Sequence, residues 1–439
     1  MKNERQPNVS PTSGEGTPLP GRVLGVYPQK QAGLYMQRVK VLGGRINWPQ
    51  WRRIAELTQT YCDGFPLHLT TRQDLELHNI RRQDVATVQQ RLAEVGLTVF
   101  GACGDSVRNI TVCSGCEFCP GGLDVMPLAQ LVRQGIDQEP VVFTLPRKFK
   151  ISFSGCRKAC AKPWLNDLGF IGQPDGRFVV IGAGSLGAKP ALGIELYRDM
   201  PASDVLPLCV AAVEIFEKHG DRQNRRRARF RHVREKLGDD VFKAELESRF
   251  EQVKARRSWP RVTCGAGLSQ MRQQGRLQLP DGNVTPAQAV RLADAAERHE
   301  AALRIDLEHG LVLYGPKPVP LPADLAAWAA GPTIVACPGS RTCPRGLTDC
   351  WATAAKIREH IATEKLSGVR ISVSGCPNGC AHSAVASIGL VGTLRKIDGA
   401  AAPHYQVLAG GGNGTNATLA TLQSVQRAED VPTVVETLL

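Results

Sequence analysis

Residues 374–381 read Ser-Gly-Cys-Pro-Asn-Gly-Cys-Ala, and residues 154–161 read Ser-Gly-Cys-Arg-Lys-Ala-Cys-Ala. The two stretches lie 220 residues apart (376 − 156), and Gly169–Gly172 recurs as Gly389–Gly392 at the same offset. Motifs that recur in the same order along the chain indicate an internal duplication. The sequence therefore predicts two halves related by a pseudo-twofold axis.

Landmarks further upstream repeat as well, at slightly larger offsets. Cys113 and Cys119 recur as Cys337 and Cys343 (337 − 113 = 224), and Arg38 recurs as Arg276 (276 − 38 = 238). We expect each half to hold a small α+β unit and then a larger, cysteine-bearing α/β unit. The predicted division is a mobile tail at 1–20, small units at 21–100 and 259–330, and larger units at 101–258 and 331–439.

Hydrophobic patterns predict one strand and two helices within the first small unit. Val39–Val41 is predicted to be a strand, and the periodicity predicts helices over Gln50–Tyr61 and Asp84–Val95. The first large unit is expected to end in a highly charged helix over 214–257, which includes the run Arg225–Arg229. That run is interpreted as a solvated helix face, with docking of an acidic partner or of cofactor carboxylates, or RNA binding, as the alternatives.

Composition restricts the class of protein. The chain has 439 residues, of which 42% are hydrophobic, so wholesale disorder and collagen-like structure are excluded. No apolar run is long enough to span a membrane, and residues 1–20 lack the apolar stretch of a signal peptide, so a cytoplasmic protein is expected. The net charge of +13 (54 − 41) calls for an anionic partner.

The 14 cysteines indicate ligation of a metal or cluster rather than disulfides. Four thiolates are the usual requirement of a 4Fe-4S cluster, although zinc held by four thiolates remains an alternative. The second half offers such a set, with spacings x5 and x3: Cys337, Cys343, Cys376 and Cys380.

The first half repeats the same spacings with Cys113, Cys119, Cys156 and Cys160. Cys116 lies between the first two and could substitute for one of them. These thiols either bind a second cluster or are relics of the duplication that only pack. The scattered cysteines are interpreted as packing residues: Cys62, Cys103, Cys209, Cys264 and Cys350.

Together with these cysteines, several motifs resemble the family of sirohaem-dependent sulfite and nitrite reductases, and the likeness covers nearly the whole chain after the tail. The motifs are Leu69-Thr70-Thr71-Arg72-Gln73 with His78, Gly101–Asn109, Leu145–Lys150, His219–Arg222 and Ser374–Ala381. The resemblance implies ferredoxin-like half-domains beside the two larger mixed α/β domains. It also implies a sirohaem stacked against a 4Fe-4S cluster, with the Cys380 thiolate bridging the cluster to the sirohaem iron.

The resemblance further implies which side chains surround the substrate and the macrocycle. The substrate-anion pocket would consist of Arg38, Arg108, Lys148 and Lys150, which stabilise negative charge and relay protons. Arg72 and His78 fall on cofactor-contacting positions, and Arg147 and Asn378 are expected to be further neighbours of the macrocycle.

The choice of substrate rests on Lys150. Nitrite-reducing relatives tend to carry an amide at this position. Lys148 and Lys150 together therefore favour reduction of sulfite to sulfide, with reduction of nitrite to ammonium as the alternative. A corrin-pathway oxygenase is disfavoured by the same pair. A non-enzymatic zinc or cluster protein that binds nucleic acid is the rival from another class.

Gly182–Gly187 spells GxGxxG, which alone is a weak dinucleotide signal. Pro190 opposes a following helix, so the stretch is interpreted as a backbone turn close to a cofactor. Without a nicotinamide or flavin signature, electrons are expected from a ferredoxin or a flavoprotein partner. Neither nucleic acid nor membrane is expected as a partner.

Overall fold

The computed structural model describes residues 21–119, 121–265 and 272–439, and the predicted tail at 1–20 lies outside these residues. The first small unit contains two helices, α1 (Trp48–Tyr61) and α2 (Val85–Ala93). Its strands are β1 (Val26–Pro28), β2 (Leu34–Val39), β3 (Arg45–Ile46), β4 (Leu67–Leu69) and β5 (Leu75–Arg81). Both predicted helices are confirmed, whereas the strand predicted over Val39–Val41 lies earlier, at β2.

The first large unit follows with β6 (Thr111–Val112), α3 (Met126–Asp137), β7 (Ile151–Ser154), β8 (Leu168–Gly172), β9 (Phe178–Gly182), β10 (Ile194–Met200), α4 (Ala202–His219), α5 (Phe230–Leu237) and α6 (Asp239–Ala255). Its sheet has the order β10-β9-β8-β7-β6, with β6, β7 and β8 parallel and the other pairings antiparallel. Helices α3 to α6 contribute to the apolar core of this unit.

The second half repeats this arrangement. Its small unit contains β11 (Arg272–Gln278), β12 (Asn283–Val284), α7 (Pro286–Arg298), β13 (Ala302–Ile305), β14 (Gly310–Gly315) and α8 (Ala323–Ala326). Its large unit contains β15 (Ile334–Ala336), α9 (Cys350–His360), β16 (Ile371–Ser374), β17 (Ile388–Ile397), β18 (Ala400–Ala409), β19 (Thr421–Arg427) and α10 (Val431–Thr437). The sheet order β15-β16-β17-β18-β19, parallel over the first three strands, matches the first large unit.

The two small units exchange one strand each. β12 pairs with β4 to complete the sheet β1-β2-β5-β4-β12, and β3 pairs with β13 to complete the sheet β11-β14-β13-β3. Equivalent helices pack across the same interface, where the buried Trp51 indole Nε1 of α1 donates to the Ala289 carbonyl of α7 at 3.0 Å. A single apolar core therefore spans both small units.

Helices α1 and α7 begin alike because their sequences encode the same cap. The Asn47 side chain accepts the Gln50 N–H and the Gln50 side chain accepts the Asn47 N–H, and Thr285 and Gln288 make the same reciprocal pair. Such a capping box satisfies two amide groups that the first helical turn leaves free. The duplicated α+β fold is thus confirmed, and the domain limits stay a prediction.

The predicted charged helix over 214–257 is wrong in its middle. α4 ends at His219, and the Asp221 carboxylate accepts the N–H groups of Gln223 and Asn224 at 2.8 Å, which forms a tight turn. The Arg225–Arg229 run then crosses a loop before α5. Adjacent like charges also repel at helical spacing, so a loop suits this run better than a helix.

The glycine-rich turns at Gly182–Gly187 and Gly410–Gly414 lie in contacts between the two halves. Leu186 and Leu165 form a small apolar cluster with Ala384 and Val385. In the other direction, the Thr415 hydroxyl donates to the Arg157 carbonyl at 2.5 Å. Each half thus covers the cysteine-bearing stretch of the other. Among the helices of the described residues, none is both long and apolar enough to cross a bilayer.

Candidate functional site

The second-half cysteines lie on two loops that follow adjacent parallel strands. Cys337 follows β15 and donates its N–H to Val373 O at 3.1 Å, while its Sγ accepts the Gly375 N–H at 3.3 Å. Cys376 and Cys380 follow β16. Because the carboxyl ends of parallel strands meet at one edge, the two loops bring the four thiols to a common place.

This arrangement suits metal ligation. Burial raises the pKa of the Cys376 thiol to about 11, and the charges of the neighbouring thiols act in the same direction. Four thiolates can therefore coexist here only when a cation offsets their charge, as the iron of a cluster does.

The Cys380 loop is attached to the first half. The Thr71 hydroxyl, from the Leu69–Gln73 motif, donates to the Cys380 carbonyl at 2.8 Å. Burial raises the pKa of the Cys380 thiol, and the charges of Lys148, Lys150 and Arg38 lower it. The predicted bridging thiol thus faces the predicted anion pocket across the boundary between the halves.

The four predicted pocket cations differ in how they are held. Arg38, on β2, donates through Nε to Glu76 Oε1 at 3.1 Å, so its charge is already paired. Arg108 donates to the carbonyls of Ala102 and Gly104 at 2.8 to 3.1 Å and is aimed by the backbone alone.

Four cations around the pocket make no side-chain ion pair among the described residues. Within the part of the chain that the structure describes, no carboxylate oxygen lies within 4.0 Å of the side-chain nitrogens of Arg72, Arg108, Lys148 or Lys150. Arg108 and Lys150 are buried, and Arg72 is half-buried. Burial lowers the pKa of Arg72 to about 10 and that of Lys148 to about 7, and the neighbouring arginines add to the shift of Lys148. Burial and the adjacent Arg72 also place the pKa of Lys150 well below its usual range.

Buried cations without partners are costly, and an anionic occupant would offset that cost. The Arg72 Nε is buried and has no hydrogen-bond partner among the residues that the structure describes, while its other nitrogens contact Asn109 O and Asn166 Oδ1. A tetrapyrrole that carries carboxylates, together with a small oxyanion, would satisfy these groups. The residues present therefore fit a sirohaem with a bound oxyanion.

The remaining predicted neighbours occupy different environments. His78 is buried, with its Nε2 at 3.2 Å from Glu76 Oε2 and its ring against Phe65. It therefore orients Glu76, which in turn holds Arg38. Arg147 lies 3.4 Å from Asp105 Oδ1, and Asn378 is exposed at the tip of the cysteine loop.

Several residues of the site were missed in the sequence. Lys162 is fully buried, with its Nζ 2.9 Å from His382 Nδ1 and 2.7 Å from Glu308 Oε1. Burial lowers the pKa of His382 well below its usual value, so the neutral imidazole accepts from the ammonium. The repeat offset of 220 (382 − 162) links these two positions and could have revealed the pair.

The first-half cysteines also converge on one place, where the Sγ atoms of Cys119 and Cys156 lie 4.0 Å apart. Of the scattered cysteines, Cys62, Cys103, Cys209 and Cys264 are buried and pack as predicted. Cys350 differs because its Sγ lies 3.9 Å from that of Cys337.

Family models match most of the chain. The model described as "Nitrite and sulphite reductase 4Fe-4S domain" matches residues 103–254 and 328–439. The model described as "Nitrite/Sulfite reductase ferredoxin-like half domain" matches residues 27–95.

Similar proteins and a solved structure agree with these matches. The chain is 28% identical to the chloroplastic ferredoxin–nitrite reductase of Arabidopsis thaliana, over 95% of this chain and 78% of that protein. It is 29% identical to the ferredoxin–nitrite reductase of Leptolyngbya laminosa, over 95% and 88% of the two chains. The solved Mycobacterium tuberculosis NirA protein shares the fold, with a TM-score of 0.80 at 20% identity over 94% and 85% of the two chains.

Proposed function

Because the chain belongs to the nitrite and sulphite reductase family, whose members carry a sirohaem and a 4Fe-4S cluster, we propose that it reduces nitrite or sulfite by six electrons. The reaction would take place between the Cys380 loop and the cations of the first half. The observation that carries this proposal is that Lys148 and Lys150 face Cys380 and that their ammonium groups have no carboxylate partner among the described residues.

We assign the cluster to the second-half thiols of Cys337, Cys343, Cys376 and Cys380. Arg72, with its unpartnered Nε, is positioned to hold a carboxylate of the macrocycle. When bound, the two groups supply the electrons and the iron to which the substrate binds.

The side chains of the protein would contribute positive charge that binds the substrate and protons that the reaction consumes. Arg108 would hold an oxygen of the substrate, since its guanidinium is fixed by backbone carbonyls and no carboxylate of the described residues competes for it. Lys148, whose pKa burial brings to about 7, can donate a proton at neutral pH and take up another, as oxygen leaves as water.

Nitrite is the substrate that the relatives favour, since those in Arabidopsis thaliana and Leptolyngbya laminosa are named ferredoxin–nitrite reductases. A specific residue favours sulfite as the second candidate. Lys150 adds an amine that a bound anion would keep protonated to a pocket that already holds Lys148 and Arg108, and sulfite carries up to two negative charges where nitrite carries one.

The same relatives support a ferredoxin as the electron donor. The exposed side chains of Arg225, Arg226 and Arg227 suit such an acidic protein, and a flavoprotein donor is the alternative.

The substrate preference can be tested with Lys150→Asn in the cofactor-loaded enzyme. We expect kcat/KM for sulfite to fall at least about tenfold more than kcat/KM for nitrite, because one unit of buried charge is worth more than about 1.4 kcal/mol to a dianion. Lys189→Asn, which removes an exposed lysine, is the control and should change neither ratio. Equal losses for both anions would remove the case for sulfite, and failure of the wild type to reduce either anion would refute the proposed function.

A further inference from the structure

The first-half cysteines are held by the same backbone hydrogen bonds as those of the second half. Cys113 donates its N–H to Phe153 O at 3.0 Å, and Gly155 N–H donates to Cys113 Sγ at 3.1 Å. The corresponding bonds at Cys337 are 3.1 and 3.3 Å. The loop that carries Cys119 then returns in the same way, with Leu123 N–H donating to Gly155 O at 2.7 Å.

The second cysteine loop is also duplicated in detail. Ala161 N–H donates to Ser154 Oγ at 3.1 Å, and Ala381 N–H makes the same bond to Ser374 Oγ. Ala159 has φ of +52°, in the place where Gly379 has +66°. A left-handed alanine costs about 1 to 2 kcal/mol. The first half therefore keeps this loop shape at a cost, which a functionless relic has no reason to bear.

Cys116 is a fifth thiol of the first half. It packs against Gly155, at the start of the loop that carries Cys156 and Cys160, and is not one of the four proposed ligands. A Cβ atom added to Gly155 would lie 3.1 Å from Cys116 Cβ, and one added to Gly375 would lie 3.1 Å from Cys350 Sγ. Cys116 and Cys350 thus occupy corresponding places behind the two loops. Because four other thiols are available in each half, neither is needed as a ligand.

A buried cation stands beside the first-half site. The Arg304 side chain is 1% exposed, and its Nη2 lies 3.6 Å from Cys116 Sγ. Its Nη1 makes no hydrogen bond within the described part of the chain and forms a long ion pair with Glu117 Oε1 at 3.5 Å. A cube of four irons held by four thiolates carries net negative charge, which this arginine would stabilise in addition to its long ion pair with Glu117.

The pocket that would correspond to the tetrapyrrole site on this side is neutralised. Glu308 stands where the first half has Arg72, and it pairs with Lys162 and Arg370. Lys162 and Arg370 correspond to His382 and Lys150 at the offset of 220. The cations that would otherwise attract the carboxylates of a macrocycle are therefore already paired.

From these observations we infer that Cys113, Cys119, Cys156 and Cys160 bind a second 4Fe-4S cluster, one that is not joined to a tetrapyrrole. Such a cluster accepts or donates a single electron on its own, with a one-electron carrier protein as the reductant. The inference concerns a site separate from the Cys380 cluster and does not depend on which anion the enzyme reduces.

The test is a count of metals in wild-type protein produced anaerobically with sirohaem supplied. We expect about nine irons and about eight acid-labile sulfides per chain, from two cubes and one tetrapyrrole iron. The double variant Cys119→Ser with Cys156→Ser should fall to about five irons and keep the sirohaem absorption. Cys116→Ser and Cys350→Ser are the matched controls and should keep the full count.

Two results would overturn the inference. One is about five irons per chain in fully loaded wild-type protein, and the other is about one zinc in place of the four additional irons. Should the double variant fail to fold, the wild type reduced with dithionite still decides the question. Its electron paramagnetic resonance spectrum should then integrate to a reduced cluster signal beyond the one coupled to sirohaem, and Cys160→Ser should alter that additional signal alone.

Discussion

Replacing Arg229 with methionine should destabilise the first large domain by about 3 kcal/mol. Arg229 Nη2 lies 2.8 Å from Asp167 Oδ2, and the two side chains are 9% and 0% exposed. Removing one partner of a buried ion pair costs about 3 to 5 kcal/mol, because the other charge is left unpaired. We expect the lower end, since the Lys150 N–H still donates to Asp167 Oδ2 at 2.8 Å.

The measurement is unfolding in urea, followed by tryptophan fluorescence, in which Trp164 lies close to Asp167 in the chain. Arg231→Met is the matched control because Arg231 pairs with the exposed Glu235 at 2.8 Å, an interaction worth under about 1 kcal/mol. Adding Asp167→Asn to the Arg229→Met variant should restore more than half of the loss, since the amide oxygen still accepts the Lys150 N–H. A loss no larger than that of Arg231→Met, or no recovery in the double variant, would refute the reasoning.

Three further changes test other parts of the structure. Cys380→Ser should abolish most of the sirohaem absorption or uncouple it from the cluster, and full absorption with unchanged activity would contradict the bridging role. Burial lowers the pKa of Lys148 to about 7, so between about pH 7 and pH 10 this lysine is protonated in the unfolded chain and neutral in the folded protein. The unfolded state therefore binds one more proton, and the cofactor-free protein should become more stable as the pH rises through this range. Differential scanning calorimetry should show that Lys148→Met reduces this gain, and an unchanged pH dependence would count against it. Glu308→Gln should destabilise the protein by about 3 kcal/mol because Lys162 and Arg370 lose their shared carboxylate, whereas Glu359→Gln, at a residue without an ion pair among the described residues, should have little effect on the urea midpoint.

The repeat made much of the architecture predictable. Identical spacings at Cys156 and Cys376 require similar strands and turns, and the two large sheets do have the same order. Helix α1 was predictable because its cap and apolar spacing are both local signals.

Features that depend on distant partners could not be predicted from the sequence. The exchanged strands β3 and β12 have two residues each, too few to show any periodicity. The charged composition of residues 214–257 predicts one helix through the Arg225–Arg229 run, whereas the turn at Asp221 ends the first helix before it. The pairing of Glu308 with Lys162 joins residues from different halves, and no local pattern reveals it.

The exchange of β3 and β12 has a consequence for the history of the chain. Cut between its halves, either small unit would leave a sheet edge that only the missing partner completes. A single-half ancestor would meet the same requirement by pairing with a second copy of itself through reciprocal strands. Gene fusion would then convert a symmetric homodimer into one chain, after which each copy was free to diverge, one towards the anion pocket and the other towards the thiolate that faces it.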